Sequence, residues 1–228
     1  WLPFDEGSGT LAADRSSNDL EADLSNIQWA TGSFGTAARF GGTNAFIDLP
    51  SVPGLNGATQ FTFSLWVTWE DPAPRRYPNL LVSQTWSPGG LMFFVAENSC
   101  AFRIGRPGEH AAASGNKWSE GSAGFLGSLP QRQWTHLCVT FALPDLVTYV
   151  NGKPVNRISW PYPVEAHDLR LGGWNGSVCH NGLIYDLRVY SRALPGMEVA
   201  ALANAPTRAS AAYTLADDSK SVKPLAAT

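Results

Sequence analysis

Apolar and polar side chains alternate with a period of two residues along two long segments of this chain. In residues 61–69, one side carries Phe61, Phe63, Leu65, Val67 and Trp69, and the other carries Thr62, Ser64, Trp66 and Thr68. Residues 134–141 repeat the pattern, with Leu137, Val139 and Phe141 opposite Trp134, His136, Cys138 and Thr140. Successive side chains of a β-strand point to opposite faces, so each segment is predicted to be a strand with one face in a core.

Shorter runs of the same kind are separated by turn signals, among them the hairpin pair Asn151-Gly152. We predict further strands at residues 39–40, 45–49, 80–84, 91–95, 101–105, 146–150, 168–171 and 183–190, and a long loop at 109–128. One helix is predicted at 195–204, where Pro195 and Glu198 precede a run of Ala and Leu. This pattern is typical of an all-β antiparallel sandwich with one short C-terminal helix.

The composition agrees with one large β domain and argues against several functions. The chain has 228 residues with 22 glycines, 16 prolines and 9 tryptophans, and only 15% of its residues are charged. A formal net charge of -3 argues against nucleic-acid binding, which depends on neutralising phosphates. No apolar stretch is long enough to span a membrane. Because the chain begins at Trp1 without Met, we expect a removed leader or upstream domain and a secreted, cell-surface or periplasmic protein.

Several ordered segments carry a resemblance to a known superfamily. They are Phe4-Asp5-Glu6-Gly7-Ser8-Gly9-Thr10, Arg39-Phe40-Gly41-Gly42, Phe46-Ile47-Asp48-Leu49-Pro50, residues 61–67, Gln133-Trp134-Thr135-His136-Leu137, residues 149–155 and residues 181–194. In this order and spacing they resemble the laminin G-like, concanavalin A-like jelly-roll superfamily. The resemblance covers residues 1–204 and implies two antiparallel sheets, one convex and one concave, packed about 10 Å apart. Residues 205–228 are predicted to be a linker or C-terminal arm.

The same superfamily contains both enzymes and binding domains, so the fold alone leaves the function open. Its glycanases carry a Glu-x-Asp-x-x-Glu pattern that supplies an acid and a nucleophile. Here Glu21-Ala22-Asp23 has no third carboxylate, so the pair is missing. A polysaccharide lyase would use His and Tyr with an Arg or Gln that neutralises a uronate; His136, Tyr149, Arg103 and Gln84 are of those types. The motifs, however, resemble the laminin G-like branch.

Sugar binding requires aromatic faces and a few planar hydrogen-bonding groups on a rigid platform. By this criterion the candidate ligand-binding residues are Trp66, Trp86, Arg103, His136 and Tyr149. We predict a non-catalytic carbohydrate-binding module of a secreted multidomain protein, with a polysaccharide or glycan as its partner. The alternative is a structural or adhesive domain that binds other protein subunits, in part through the C-terminal arm.

The resemblance also implies a structural Ca²⁺. Relatives hold it with an Asp on the last long strand, together with groups near the N-terminus and the Phe-Gly-Gly turn. The corresponding positions here are Asp5, Gly42 and Asp186, and strict alternation predicts that Asp186 faces away from the expected direction. The three cysteines form no Cys-x-x-Cys pair. They are predicted either to be buried thiols or to include a Cys100–Cys179 disulfide.

Overall fold

Fifteen β-strands and one helix make up the computed structural model, which describes residues 1–32, 34–70, 78–83, 90–96, 99–105, 123–166, 168–173 and 179–204. The strands are β1 (Leu11–Ala13), β2 (Glu21–Ser25), β3 (Gln28–Gly32), β4 (Gly35–Gly41), β5 (Phe46–Asp48), β6 (Gln60–Val67), β7 (Asn79–Ser83), β8 (Leu91–Ala96), β9 (Ser99–Ile104), β10 (Ala123–Ser128), β11 (Thr135–Ala142), β12 (Asp145–Val150), β13 (Lys153–Ser159), β14 (Leu169–Leu171) and β15 (Asn181–Tyr190). The helix α1 spans Gly196–Asn204.

The strands form two antiparallel sheets. One sheet has eight strands in the order β1-β2-β5-β14-β7-β8-β9-β10, and the other has seven in the order β13-β12-β11-β6-β15-β4-β3. The predicted two-sheet, all-β sandwich with one short C-terminal helix is therefore confirmed. Within the described ranges, no helix is both long and apolar enough to cross a membrane.

The main core lies between the sheets and is rich in phenylalanine. The apolar faces predicted for β6 and β11 both enter it: Phe61, Phe63 and Leu65 are fully buried, as are Leu137 and Val139. In register, Phe63 lies opposite Val139 and Leu65 opposite Leu137, so the two central strands bury matched apolar faces. These strands were predictable because one face of each is wholly apolar.

The last long strand departs from simple alternation. Tyr185 pairs with Trp66, but the next outward residue, Arg188, pairs with Ser64, so β15 contains one extra residue there. Asp186 adopts a φ of 55° at this bulge, and Leu187 points into the core. The period-two prediction for β15 is wrong beyond Tyr185 because a bulge changes the face on which all later side chains lie.

The remaining predictions, for the loop, the other strands, the cysteines and the C-terminal arm, have different outcomes. The loop predicted at 109–128 contains β10 at its end, and its first part, residues 109–122, lies outside the described residues. Strands β1, β2, β3 and β13 were not predicted. The three cysteines, at positions 100, 138 and 179, are buried free thiols, so Cys100 and Cys179 form no disulfide in this structure. The predicted arm at 205–228 is outside the described residues.

Helix α1 covers part of the outer face of the seven-stranded sheet. Val199 of the helix packs with Cys138, Val147, Tyr149 and Tyr190. These four side chains point away from the main core, into which the residues that alternate with them along the strands point. We call this outer face the helix-covered face. The outer face of the eight-stranded sheet is called the charged face, for the side chains described below.

Candidate functional site

The candidate ligand-binding residues are divided between the two sheets. Trp66, His136 and Tyr149 lie on the helix-covered face, whereas Arg103 lies on the charged face. Trp86 lies outside the described residues. Trp66, His136 and Tyr149 therefore do not share a cleft with Arg103, because the sandwich core separates Arg103 from the other three.

Burial further limits the residues on the helix-covered face. Trp66 is 8% exposed and packs against Phe34, at a centroid distance of 5.0 Å, and against Tyr185. Tyr149 is 7% exposed and lies beneath α1 with Val199. These contacts give both aromatic rings a packing role in this structure. Ligand contact by them stays a prediction.

His136 is completely buried at the centre of the same face. Its Nε2 is 2.8 Å from Oγ of Ser64, which lies on the adjacent strand β6. Burial, reinforced by the positive charge of Arg188, lowers the pKa of His136 from 6.5 to about 3. A neutral, buried imidazole of this kind has a structural role, and nothing in the geometry opens it to a polysaccharide.

The charged face carries a row of side chains that are aligned in register. From β2 to β9 the paired residues are Asp23, Asp48, Arg170, Val82, Met92 and Arg103. Paired residues of antiparallel strands share one face, so all six project outward from the eight-stranded sheet. Val82 and Met92 belong to a small buried apolar cluster with Phe94 and Ala101. Charged groups therefore lie on both sides of an apolar centre.

One end of this row is a fixed pair of opposite charges. Arg170 donates from Nε to Asp48 Oδ1 at 2.6 Å and from Nη2 to Asp48 Oδ2 at 2.9 Å. The guanidinium also stacks on Phe46, with its Cζ 3.7 Å from the ring centroid. The Asp48 side chain is 45% exposed and Asp23, on the neighbouring strand, is also exposed. A planar ion pair on an aromatic ring thus faces solvent beside a second carboxylate.

Arg103, at the other end of the row, has different partners. Its Cζ lies 4.7 Å from the centroid of Phe94, and its side chain is half-buried. Within the described part of the chain, Arg15, Arg39, Arg157, Arg170, Arg188 and Arg192 each form an ion pair with a carboxylate. Arg103 and the exposed Arg132 are the exceptions there. Nε of Arg103 is also buried without a hydrogen-bond partner.

The positions expected to hold Ca²⁺ do not fit that ion. Asp186 Oδ1 accepts from the indole of Trp1 at 2.5 Å and from Nε of Arg188 at 2.9 Å, and its Oδ2 accepts from the same nitrogen. A buried guanidinium beside this carboxylate already supplies the positive charge that a cation would bring. Asp5 is exposed and 3.8 Å from Arg15. Across the described residues, no group of three acidic, His or Cys side chains could hold a metal.

Asp23, Asp48 and Arg170 were not predicted as a group. They come from β2, β5 and β14, and short strands with one or two outward residues give little alternation to detect. Glu6 was missed as well: its Oε1 accepts from the Ala13 amide, and its buried Oε2 has no partner.

The Asp23–Asp48 pair is poorly suited to glycoside hydrolysis. A glycosidase needs one carboxylic acid that donates a proton and a second that acts as nucleophile or base. Both oxygens of Asp48 accept hydrogen bonds from Arg170, so this carboxylate serves to hold the guanidinium. Asp23 alone cannot fill both roles.

Several solved structures have a similar fold. Domain 4 of AbnA, an extracellular family GH43 arabinanase from Geobacillus stearothermophilus solved in complex with arabinotriose, superposes with a TM-score of 0.70 at 22% identity, covering 89% of this chain and 96% of that domain. The binding domain of Paraclostridial Mosquitocidal Protein 1 gives a TM-score of 0.69 at 16% identity, over 89% of this chain and 52% of that one. A structure of botulinum neurotoxin type C, whose cell entry depends on two ganglioside molecules, gives 0.67 at 14% identity, over 91% and 51%.

The chain therefore spans about half the length of the two toxin structures and nearly all of the arabinanase domain. A search of curated protein sequences gave no match. A family model of the laminin G type, described as the concanavalin A-like lectin/glucanases superfamily, matches residues 40–200. Since this match covers most of the chain, the protein belongs to the concanavalin A-like lectin/glucanase superfamily.

Proposed function

We propose that this protein is a non-catalytic carbohydrate-binding module that docks a polysaccharide on its charged face. The observation that carries the proposal is the register row of Asp23, Asp48 and Arg170 beside the ring of Phe46. Sugar hydroxyls both donate and accept hydrogen bonds, so adjacent carboxylate and guanidinium groups complement them. The Phe46 ring, on which the Arg170 guanidinium stacks, holds these polar groups in a fixed orientation on rigid strands.

The comparison with the arabinanase domain supports the same function. That domain is a separate unit of nearly the same extent as this chain, and it was solved with arabinotriose bound. The ganglioside dependence described for the neurotoxin type C is a second case of glycan recognition in a structure of related fold. Binding without cleavage is supported by the engagement of Asp48 with Arg170, which leaves no acid and nucleophile pair in the row.

Affinity electrophoresis through gels that contain linear arabinan, xylan, β-glucan or polygalacturonate tests the proposal, with titration calorimetry on any polysaccharide that retards the protein. Asp23→Asn should weaken binding by roughly tenfold, because one hydrogen bond to a charged group contributes about 1.5–3 kcal/mol. Asp145→Asn is the matched control, since it removes an exposed carboxylate from the other sheet. It should bind as the wild type does.

Two outcomes would contradict the proposal. A folded protein that binds none of these polysaccharides, but does bind a protein partner, would favour the adhesive alternative. Release of reducing ends, or ultraviolet absorbance from unsaturated uronates, would instead identify a glycanase or a lyase.

We also propose that the protein acts outside the cell. The support is the extracellular arabinanase whose domain has the same fold. Immunodetection in the culture medium, compared with the cell lysate, tests this location, and protein confined to the lysate would contradict it.

A further inference from the structure

The side chain of Arg103 is the feature of the charged face that a neutral sugar leaves unexplained. It is half-buried, stacked on Phe94, and without a carboxylate partner among the described residues. Its Nε is buried with no hydrogen bond. Of the seven other arginines in the described ranges, six form an ion pair with a carboxylate, and the seventh, Arg132, is exposed. Among the described residues, Arg103 therefore has neither a counter-charge nor an acceptor for its Nε–H group.

An unpaired donor on a half-buried charged group is costly unless a ligand completes it. The Phe94 ring attracts the cation and orients it, but the ring offers no acceptor for the N–H group. The Nε atom is closed to solvent, so a ligand would meet the guanidinium at its terminal nitrogens. A sugar hydroxyl there would leave the charge unpaired, whereas an oxyanion would neutralise it and match the planar fork of the guanidinium.

The position of Arg103 in the row agrees with a polymer as the ligand. Arg170 is neutralised by Asp48, so its end of the row has no free positive charge. Strands β14, β7, β8 and β9 are adjacent in the sheet, and three strand spacings separate Arg170 from Arg103 by roughly 14 Å. Val82 and Met92 at the centre of the row are buried, so a saccharide chain would contact the row at its two ends, with hydroxyls at Asp23 and Asp48 and an anionic substituent at Arg103.

We propose that Arg103 binds an oxyanion of an acidic polysaccharide, either a uronate carboxylate or a sulfate ester. This inference rests on the proposed carbohydrate binding and specifies its ligand class. Binding involves no covalent step, and its affinity should fall moderately as the salt concentration rises, since salt screens a half-buried ionic contact in part.

The first test compares three variants by calorimetry against polygalacturonate, chondroitin sulfate and neutral linear arabinan. Arg103→Gln should weaken binding to one of the acidic polymers by about tenfold or more, and the weakened polymer identifies carboxylate or sulfate. Arg103→Lys should recover part of the affinity, since it keeps the charge but loses the fork. Arg132→Gln removes the same charge away from the charged face and should change affinity by less than about twofold.

Equal losses in Arg103→Gln and Arg132→Gln would overturn the inference, because net charge alone would explain them. An equal loss of arabinan binding in Arg103→Gln would also overturn it, because Arg103 would then act as a general donor. Thermal unfolding of each variant verifies that the fold is retained.

The second test titrates the wild-type protein and separates this inference from the proposed function. Galacturonate, galactose 6-sulfate or galactose is added to ¹⁵N-labelled protein, and NMR follows the Nε–H resonance of Arg103, which is assigned by its loss in Arg103→Gln. We expect galacturonate, or galactose 6-sulfate for a sulfate site, to shift this resonance and galactose to leave it unchanged. A shift without binding to any polysaccharide would retain the anion site and refute the module. Polysaccharide binding with an unshifted resonance would support the carbohydrate-binding module and refute the anion site at Arg103.

Discussion

At the residue scale, Asp186 and Arg188 show how this sheet accommodates charge away from solvent. Both side chains are less than a tenth exposed, and Arg188 also stacks on the ring of Trp1 at 4.5 Å. Trp1 in turn donates its indole N–H to Asp186, beside the Leu2–Leu187 backbone pairing. The pair therefore connects the start of the described chain to the last strand.

Replacing Asp186 by Asn should destabilise the protein by about 3–5 kcal/mol, because Arg188 would remain buried without its counter-charge. Asn tolerates the positive φ of this position, so the substitution changes charge and little else. Urea unfolding monitored by tryptophan fluorescence measures the loss. Asp145→Asn breaks the exposed pair with Arg157 and should remain within about 1 kcal/mol of the wild type. Equal stabilities of the two variants would refute the structural role of the buried pair.

At the element scale, the turn between β12 and β13 supports helix α1. Asn151 and Gly152 both have positive φ, as the hairpin signal in the sequence predicts. Oδ1 of Asn151 accepts from the His136 amide, which fixes the turn against β11. A Cβ at Gly152 would lie 2.9 Å from Cα of Ala200 and 3.0 Å from Cβ of Ala203. The glycine therefore permits the close approach of helix and turn.

Gly152→Ala should cost about 1–2 kcal/mol for the strained backbone and a further ~1–3 kcal/mol for displacement of the helix. Gly54→Ala is a matched control, since Gly54 has a φ of 72° and its Cβ would meet no described atom within 4 Å. In Gly54→Ala only the cost of the strained backbone applies. The difference between the two variants in the free energy of unfolding by urea isolates the contribution of helix packing. Equal losses of stability would show that the contact between Gly152 and α1 is not tight enough to oppose an alanine.

Elements were predictable where one face of a strand is wholly apolar. Strands β6 and β11 bury such a face in the main core, and both were predicted to within two residues at either end. Edge strand β13 has mostly exposed side chains and β10 contains two glycines, so neither shows the alternation of a half-buried strand. The bulge in β15 was not predictable, because alternation is a local rule and the bulge depends on pairing with β6.

At the scale of the whole molecule, two buried histidines couple the stability of the fold to pH. His180 is fully buried between Phe40 and Trp69, and burial together with the charge of Arg39 lowers its pKa from 6.5 to about 3. His136 has its pKa lowered to about 3 as well. Between about pH 3 and pH 6.5, both histidines are protonated in the unfolded chain but neutral in the folded protein. The stabilisation is complete above pH 6.5 and is lost progressively as the pH falls toward 3.

The free energy of unfolding should therefore decrease by roughly 1.4 kcal/mol per pH unit for each of these histidines below about pH 6. Urea unfolding between pH 7 and pH 4.5 measures this slope before most carboxylates titrate. His136→Asn and His180→Asn should each remove one histidine's share of the slope, whatever their absolute stabilities. An unchanged slope in either variant would show that the imidazole it replaces can be protonated in the folded protein.

The candidate site was less predictable than the fold for a reason of geometry. Trp66, His136 and Tyr149 carry suitable chemistry, but the sequence does not show that α1 and the Phe34 ring lie over that sheet face. Arg103 was identified from its residue type, while Asp48 and Arg170 are 122 positions apart and meet only through the pairing of β5 with β14. Long-range register, which a single sequence does not encode locally, assembles the charged row.

The extra residue in β15 has a consequence for how this family can tolerate insertions and deletions. It places Arg188 and Tyr190 outside and Val189 inside, the reverse of what uninterrupted alternation from Tyr185 would give. Loss of a single residue between Tyr185 and Arg188 would do more than shorten the strand, because it would turn the strand's second half over. The guanidinium would enter the apolar core and Val189 would face outward. An insertion or deletion of one residue at this point of β15 would therefore exchange the buried and outward faces of the rest of the strand, whereas a change of two residues would keep them.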